Sequence, residues 1–296
     1  MNGLLVIDKP GGMTSHDVVN RLRRITGEKT IGHLGTLDPM ATGVLPLLVG
    51  RYTRLAQYFS AAEKSYSGTI RFGFATDTYD AEGEAAGPDC WPEAAGCVTL
   101  EQVRAKAGRF SGVMEQMPPP FSAKKIAGTP AYKLARAGKA VELKPASVRI
   151  DAFEIVALED GEASFTIEIS AGGYVRSVAH ELGRDLGCGG HLSRLRRTRA
   201  GPFTLDEAHT LPELEPMTGD AVALDGLCIH PRLLLEEMPS VTGDTVAVGR
   251  LRNGAQANLP EFSSSTLVKV FAGPRELVGI ARRIAGTLFQ PVVVLG

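Results

Sequence analysis

Asp38 is the residue of this chain most clearly placed to do chemistry. It stands in the run Gly32-His33-Leu34-Gly35-Thr36-Leu37-Asp38-Pro39-Met40-Ala41-Thr42-Gly43, between two apolar segments. The following proline restricts Asp38 to extended backbone. The glycines at 32, 35 and 43 permit positive φ or close approach of another molecule to the main chain. A carboxylate held in this way can serve as nucleophile or base. To stay ionised where substrate excludes water, it needs a cationic partner. Two further stretches carry charge suited to phosphates. Residues 124–144 hold six Lys or Arg against the single acid Glu142, and residues 187–205 hold Arg194, Arg196, Arg197 and Arg199 with no acid.

The elements that must position these groups follow from periodicity. Gly3 to Ile7 is a β-rich apolar run, and Thr14-x-x-Asp17 is a capping signal for a helix with Val18, Leu22 and Ile25 on one face, ending at Gly27. Val44 to Val49 reads as a buried strand interrupted by Pro46, and 52–62 as a helix. Ser65 to Phe74 alternates as a strand and places Tyr66 near its start; 75–96 lacks periodicity and reads as a loop in which little chemistry is expected. Thr99-x-x-Gln102 opens a helix, and Met117-Pro-Pro-Pro120 forces an extended entry into the basic segment. Two alternating runs, 148–158 and 162–170, flank Glu-Asp-Gly as a hairpin. A helix follows Gly172-Gly173, with Tyr174 and Arg176 at its first turn. Thr204-x-x-Glu207 is another capping signal. Beyond Pro231, apolar runs at 245–248, 266–271, 277–280 and 291–295 suggest a small β-barrel.

Composition bounds the partners. With 296 residues, 44% hydrophobic and 22% charged, the chain has the make-up of a two-domain globular protein. No apolar run is long enough to span a bilayer and no secretory signal is visible, so a cytoplasmic location is expected. The four cysteines, at 90, 97, 188 and 228, have neither disulfide-scaffold nor zinc spacing. A net charge of −1 means that any nucleic-acid binding must come from segregated charge.

Gly32-His33-x-Gly35-Thr36-Leu37-Asp38-Pro39-x-Ala41-Thr42-Gly43-Val44-Leu45 closely resembles the central motif of the TruB family of tRNA pseudouridine synthases. The resemblance extends to Lys9-Pro10, Lys64-x-Tyr66, Phe121-Ser122-Ala123-x-Lys125, Gly173-Tyr174-Val175-Arg176 and Leu195-Arg196-Arg197, and so covers nearly the whole chain. It implies an α+β fold, a mixed and mainly antiparallel sheet flanked by helices, with a small PUA-like β-barrel at the carboxyl end. The implied domains are a catalytic domain at 1–231, with an RNA-binding thumb at about 117–145, and an RNA-binding domain at 232–296.

The implied activity is isomerisation of uridine 55 in the tRNA T loop to pseudouridine, with no cofactor or metal, by a cytoplasmic protein expected to be a monomer. Asp38 is the implied catalyst and Arg176 its partner. Tyr66, Tyr174 and Leu195 are expected around the uracil, and His33 in the space left by the flipped nucleotide. Arg196, Arg197, Lys124 and Lys125 are expected on RNA, with Lys9 and Pro10 as support. The residues leave three routes for Asp38 open: attack on ribose C1′, addition to uracil C6, or base catalysis through a glycal. One rival, the His-x-Gly-His nucleotidyltransferase signature, lacks its second histidine at His33-Leu34-Gly35-Thr36. A tRNA-binding module without chemistry is the other, and the Leu-Asp-Pro run argues against it.

Overall fold

The computed structural model describes residues 1–94, 98–122, 125–126, 129–130 and 143–296. Its elements are β1 (Gly3–Lys9), α1 (Ser15–Thr26), β2 (Ile31–His33), β3 (Thr42–Val49), β4 (Lys64–Phe72), α2 (Trp91–Ala94), α3 (Leu100–Ala107), β5 (Gly112–Gln116), β6 (Lys125–Ile126), β7 (Thr129–Pro130), β8 (Ala146–Glu159), β9 (Glu162–Ile169), α4 (Val175–Leu186) and β10 (Gly190–Ala200). These are followed by β11 (Phe203–Thr204), β12 (Ala208–His209), α5 (Leu211–Leu214), α6 (Ala221–Gly226), β13 (Ser240–Thr242), α7 (Thr245–Arg252), β14 (Ala257–Asn258), β15 (Leu267–Ala272), β16 (Glu276–Ala285) and β17 (Leu288–Val294).

The main sheet runs β12-β1-β3-β10-β4-β9-β8-β5, with β2 on β3 and β11 on β10. Only β1 with β12 and β3 with β10 pair in parallel; the other neighbours are antiparallel. A second sheet, β13-β15-β16-β17-β14, forms the carboxyl-terminal β unit. This is the mixed α+β architecture expected from the family. No helix among the described residues is long and apolar enough to cross a membrane.

Strand alternation explains why β1 reads as a continuous apolar run. Leu5 and Ile7 pack on one face with α1 (Val18, Leu22, Ile25), α3 (Val103, Ala107) and α4 (Val178, Leu182). Leu4 and Val6 face the other way, against Leu234, Leu235, Phe271, Ile280 and Val293. A strand covered on both sides has no polar face to display. The carboxyl-terminal unit therefore shares an apolar cluster with the main sheet as well as having one of its own around Val248, Val270 and Phe289.

Local signals explain most boundaries. Thr14 and Asp17 make a reciprocal cap, Thr14 Oγ1 accepting from the Asp17 amide at 3.1 Å and Asp17 Oδ2 accepting from the Thr14 amide at 2.9 Å. Asp160 and Gly161 take φ of 46° and 82°, which suits the tight turn joining β8 to β9.

Four readings need correction. Pro46 does not interrupt β3: it pairs in register with Val6, and its carbonyl accepts from the Leu34 amide. The 52–62 helix is a 3₁₀ helix at Gly50–Tyr58. Thr204 and Glu207 hydrogen-bond as expected of a cap, but they close a turn rather than open a helix. Residues 245–248 begin α7, because Asp244 Oδ1 accepts from the Ala247 amide at 2.7 Å and Ala247, Val248 and Leu251 form a buried helical face.

Candidate active site

The Asp38 loop crosses one end of the sheet, and its conformation is determined from several sides. Beneath it, Lys9, Gly43, Arg197 and Tyr66 align as register partners across β1, β3, β10 and β4. Lys9 has the same strand parity as Leu5 and Ile7, and Leu195 and the body of Tyr66 also belong to the helix-side core. Alternation thus places Lys9, Tyr66, Leu195 and Arg197 on the face that carries α4.

Three polar groups hold the loop in place. The buried Lys9 ammonium donates to the carbonyls of Pro10 (2.8 Å), Met13 (2.6 Å) and Pro39 (3.1 Å), and burial lowers its pKa to about 8. Ser15 Oγ accepts from the Leu37 amide at 2.8 Å and donates to the Leu37 carbonyl at 3.1 Å, fixing the residue before Asp38 from the first turn of α1. Arg197, 1% exposed, donates to the carbonyls of Val44 (2.7 Å), Gly35 (3.1 Å) and Thr36 (3.5 Å). Gly43 is required by this arrangement: its φ is 101°, and a Cβ there would stand 2.1 Å from the Arg197 carbonyl oxygen.

Asp38 is then met from α4. Arg176 Nη2 donates to Asp38 Oδ1 at 3.1 Å, and Arg176 Nε lies 2.9 Å from Oδ2, an ionic contact in which Nε makes no well-aligned hydrogen bond. Nη2 also donates to the Phe121 carbonyl (3.0 Å), and Nη1 donates to the Thr78 carbonyl (3.0 Å) and lies 3.3 Å from Asp80 Oδ2. The other oxygen of Asp80 accepts from the Thr78 hydroxyl at 2.6 Å and the Glu82 amide at 3.1 Å. One buried cation therefore faces two carboxylates. Burial pushes the Asp38 carboxyl above its ordinary value; Arg176 opposes this, Asp80 adds to it, and Lys9 also opposes it. The Asp38 side chain remains 32% exposed, which leaves the carboxylate open to a ligand on one side.

Arg176 is held by the start of α4. Tyr174, the N-cap residue, has no side-chain cap; instead Gln116 Oε1 accepts from its amide at 2.8 Å and Gln116 Nε2 donates to its carbonyl at 3.0 Å. Ser177 Oγ donates to the Met117 carbonyl at 2.7 Å. Residues 174, 176 and 177 thus grip 116–121, the segment that leads into the basic insertion.

Of the residues singled out by sequence, the structure joins Asp38 to Arg176, places Lys9, Tyr66 and Arg197 along the sheet row below, and places Leu195 two residues away on β10, opposite Gly68. His33 ends β2 opposite Leu47; its Nδ1 is buried without a hydrogen-bond partner, and burial and then Arg197 lower its pKa. Pro10 is exposed and contributes its carbonyl to Lys9.

Strand alternation divides the arginine run between the two faces of the sheet. Arg197 is buried on backbone carbonyls and has no face free for phosphate. Arg196 points to the opposite side of the sheet, where it pairs with Asp8 through Nη1 and Nη2 (3.0 and 2.7 Å). Lys124 lies outside the described residues, as does the side chain of Lys125 on β6.

Sequence reasoning missed Ser15, Thr78, Asp80 and Gln116. Asp80 falls in the loop from which little chemistry was expected. The signal available there was Asp77-Thr78-Tyr79-Asp80, a polar cluster directly after a strand.

The model of the TruB family pseudouridylate synthase N-terminal domain matches residues 23–175, and that of the tRNA pseudouridylate synthase B C-terminal domain matches 176–229. tRNA pseudouridine synthase B of Solibacter usitatus is 43% identical over the full length of both chains. The protein of that name from Aquifex aeolicus is 37% identical, over 97% of this chain and 98% of its own. Among solved structures, an H/ACA RNP bound to a substrate RNA containing 2′-deoxyuridine superposes with a TM-score of 0.69 at 24% identity, covering 99% of this chain and 85% of that one. The archaeal box H/ACA sRNP Nop10–Cbf5 complex gives 0.68 at 24% identity, covering 99% and 86%; both show the shared fold. The chain belongs to the TruB family of pseudouridylate synthases.

Proposed function

We propose that this enzyme isomerises uridine 55 of the tRNA T loop to pseudouridine, with Asp38 as the catalytic carboxylate. The observation that carries this reading is the Asp38–Arg176 pair, a carboxylate open to a ligand on one side and held by a buried guanidinium on the other. The reaction breaks the N1–C1′ bond, turns the uracil and joins C5 to C1′; the C5 proton leaves and N1 gains one, with no net redox change. Each of the three routes open to Asp38 uses its anionic form, and Arg176 stabilises that form.

Tyr66 and Leu195, on the helix-side face, would border the uracil, with Tyr174 at the other wall. His33 would enter the space left by the extracted nucleotide. Lys9 and Pro10 support the loop through the carbonyl contacts described above. Lys124 and Lys125 in the 117–145 insertion and the 232–296 unit would grip the RNA, while the catalytic residues lie in 1–231. In this reading the enzyme acts as a monomer and needs no added cofactor.

The test uses one preparation assayed twice on a T-arm stem-loop, for binding and for release of the uracil C5 hydrogen. Asp38→Asn keeps the shape of the side chain and removes its charge, so binding should stay near wild type and hydrogen release should vanish. Hydrogen release near the wild-type rate would remove Asp38 from the chemistry. A wild-type protein that binds and never releases the hydrogen would establish the binding-module alternative.

A further inference from the structure

Tyr79 occupies a position its backbone disfavours. Its φ is 65°, in the left-handed region that few non-glycine residues enter, and one residue on each side of it supplies a ligand to Arg176. A glycine would hold that φ without steric cost. The tyrosine side chain stacks on His180, with ring centroids 3.8 Å apart and planes within 13°. His180 lies four residues after Arg176 on α4, hence on the same helix face. Its Nδ1 is buried without a hydrogen-bond partner.

The backbone around Tyr79 is tied to β10: the Leu192 amide donates to the Tyr79 carbonyl and the Ala81 amide to the Leu192 carbonyl, both at 3.0 Å. Thr76 Oγ1 donates to the Asp80 carbonyl at 2.7 Å. These bonds fix the loop to the sheet. Beside the contacts of Arg176 itself with Thr78 and Asp80, the stack is a second tie between this loop and α4.

We propose that Tyr79 and His180 are a positioning pair: their stacked rings set the spacing between α4 and the 78–80 loop, so that the Thr78 carbonyl and the Asp80 carboxylate hold Arg176 in the orientation that presents it to Asp38. The inference rests on the catalytic reading of Asp38 and Arg176 given above. Neither ring acts on substrate; both act through Arg176. Because the pair governs orientation at the reacting centre, its loss lowers turnover and leaves RNA binding in place.

The experiment uses full-length variants and T-arm RNA, measuring kcat and KM for C5 hydrogen release, with circular dichroism as the check on folding. Tyr79→Asn tolerates the left-handed backbone but has no ring, and should lower kcat about tenfold, since a misplacement near 1 Å can cost on the order of a hundredfold. His180→Leu should do the same, with KM unchanged in both. Tyr79→Phe and His180→Phe keep a flat ring and should restore turnover. The double variant Tyr79→Asn/His180→Leu should be no slower than the slower single variant.

Wild-type kcat in Tyr79→Asn, a Tyr79→Phe rate as low as that of Tyr79→Asn, a rise in KM alone, or multiplicative losses in the double variant would each overturn the pair. Should Tyr79→Asn fail to fold, the contrast between His180→Phe and His180→Leu decides the question. Asp38→Asn is run alongside: if it keeps activity, the catalytic reading fails; if it is inactive while the ring variants match wild type, only the positioning pair fails.

Discussion

Two buried arginines, Arg176 at the start of α4 and Arg197 near the end of β10, stand at the same end of the molecule and do different work. Arg197 gives its donors to three backbone carbonyls of the 35–44 segment, so its charge serves to shape a loop. Arg176 faces two carboxylates, Asp38 and Asp80, so its charge serves to hold charge. The two residues are 5% and 1% exposed, so burial alone does not distinguish them. The acceptor does. A guanidinium that ends on carbonyls is a structural clamp; one that ends on a half-open carboxylate is part of a site.

The sharpest way to break this comparison is to remove the cation at each place. Arg176→Met should cost about 3 to 5 kcal/mol of transition-state stabilisation, roughly two to four powers of ten in turnover, because it leaves Asp38 and Asp80 facing each other unpaired. Single-turnover C5 hydrogen release should show it, with RNA affinity changed much less. In a stability cycle the Arg176→Met loss should shrink when Asp80 is replaced by Asn, since the uncompensated buried charge is then gone. Equal losses in both backgrounds would mean that Asp80 is not a partner of Arg176.

Arg197→Met should act mainly on stability. It strands the carbonyls of Gly35 and Val44, and more weakly that of Thr36, for a cost of about 2 to 4 kcal/mol in urea unfolding. Turnover should fall with the order of the loop, and the salt dependence of RNA binding should not change. A shallower salt slope in Arg197→Met would put its guanidinium on phosphate after all.

Asp38→Asn probes the other side of the pair through stability. Folding raises the Asp38 carboxyl above its ordinary 3.8, chiefly by burial, so in the interval from 3.8 up to that raised value the folded chain holds more proton than the unfolded one. The contribution of Asp38 to stability is therefore favourable below 3.8 and is lost as pH rises through the interval. Asp38→Asn should accordingly be at least as stable as wild type at pH 7, with the difference vanishing in acid. A less stable Asn variant at pH 7 would mean that the ion pair outweighs burial.

The same pair of arginines shows what could be read before the fold was known. Asp38 was legible because proline and glycine constrain the backbone locally, and those constraints are written in adjacent residues. Thr14 and Asp17, and the Asp160-Gly161 turn, were legible for the same reason. Asp80 was not, because what makes it part of the site is α4, which begins 95 residues later, brought against its loop. Gln116 and Ser15 were hidden likewise: each clamps a backbone distant in sequence. The run Arg194 to Arg199 misled for a further reason. Strand alternation divides a run of like charges between two faces, and the sequence does not show which face holds acceptors. Residues 245–248 misled because β-branched residues favour strands until a capping aspartate starts a helix.

The smallest effect to look for is at Arg194, the one arginine of that run whose side chain is mostly in solvent, at 74% exposure. Its contact with Glu162, 3.2 Å long, is a surface ion pair and should contribute little to stability. Arg196 is closed by Asp8 and Arg199 by Glu168, leaving Arg194 as the guanidinium of β10 most able to exchange its partner for a phosphate. If it meets RNA, Arg194→Ala should reduce the slope of log affinity against log salt by roughly 0.7 to 0.9, the release expected for one phosphate contact, with turnover at saturation unchanged. Arg196→Ala should leave the slope alone, since its charge is already spent on Asp8. Equal slope changes for Arg194 and Arg196 would show that RNA displaces both surface pairs, and the distinction between closed and open guanidinium groups would then hold only for the buried ones, Arg176 and Arg197.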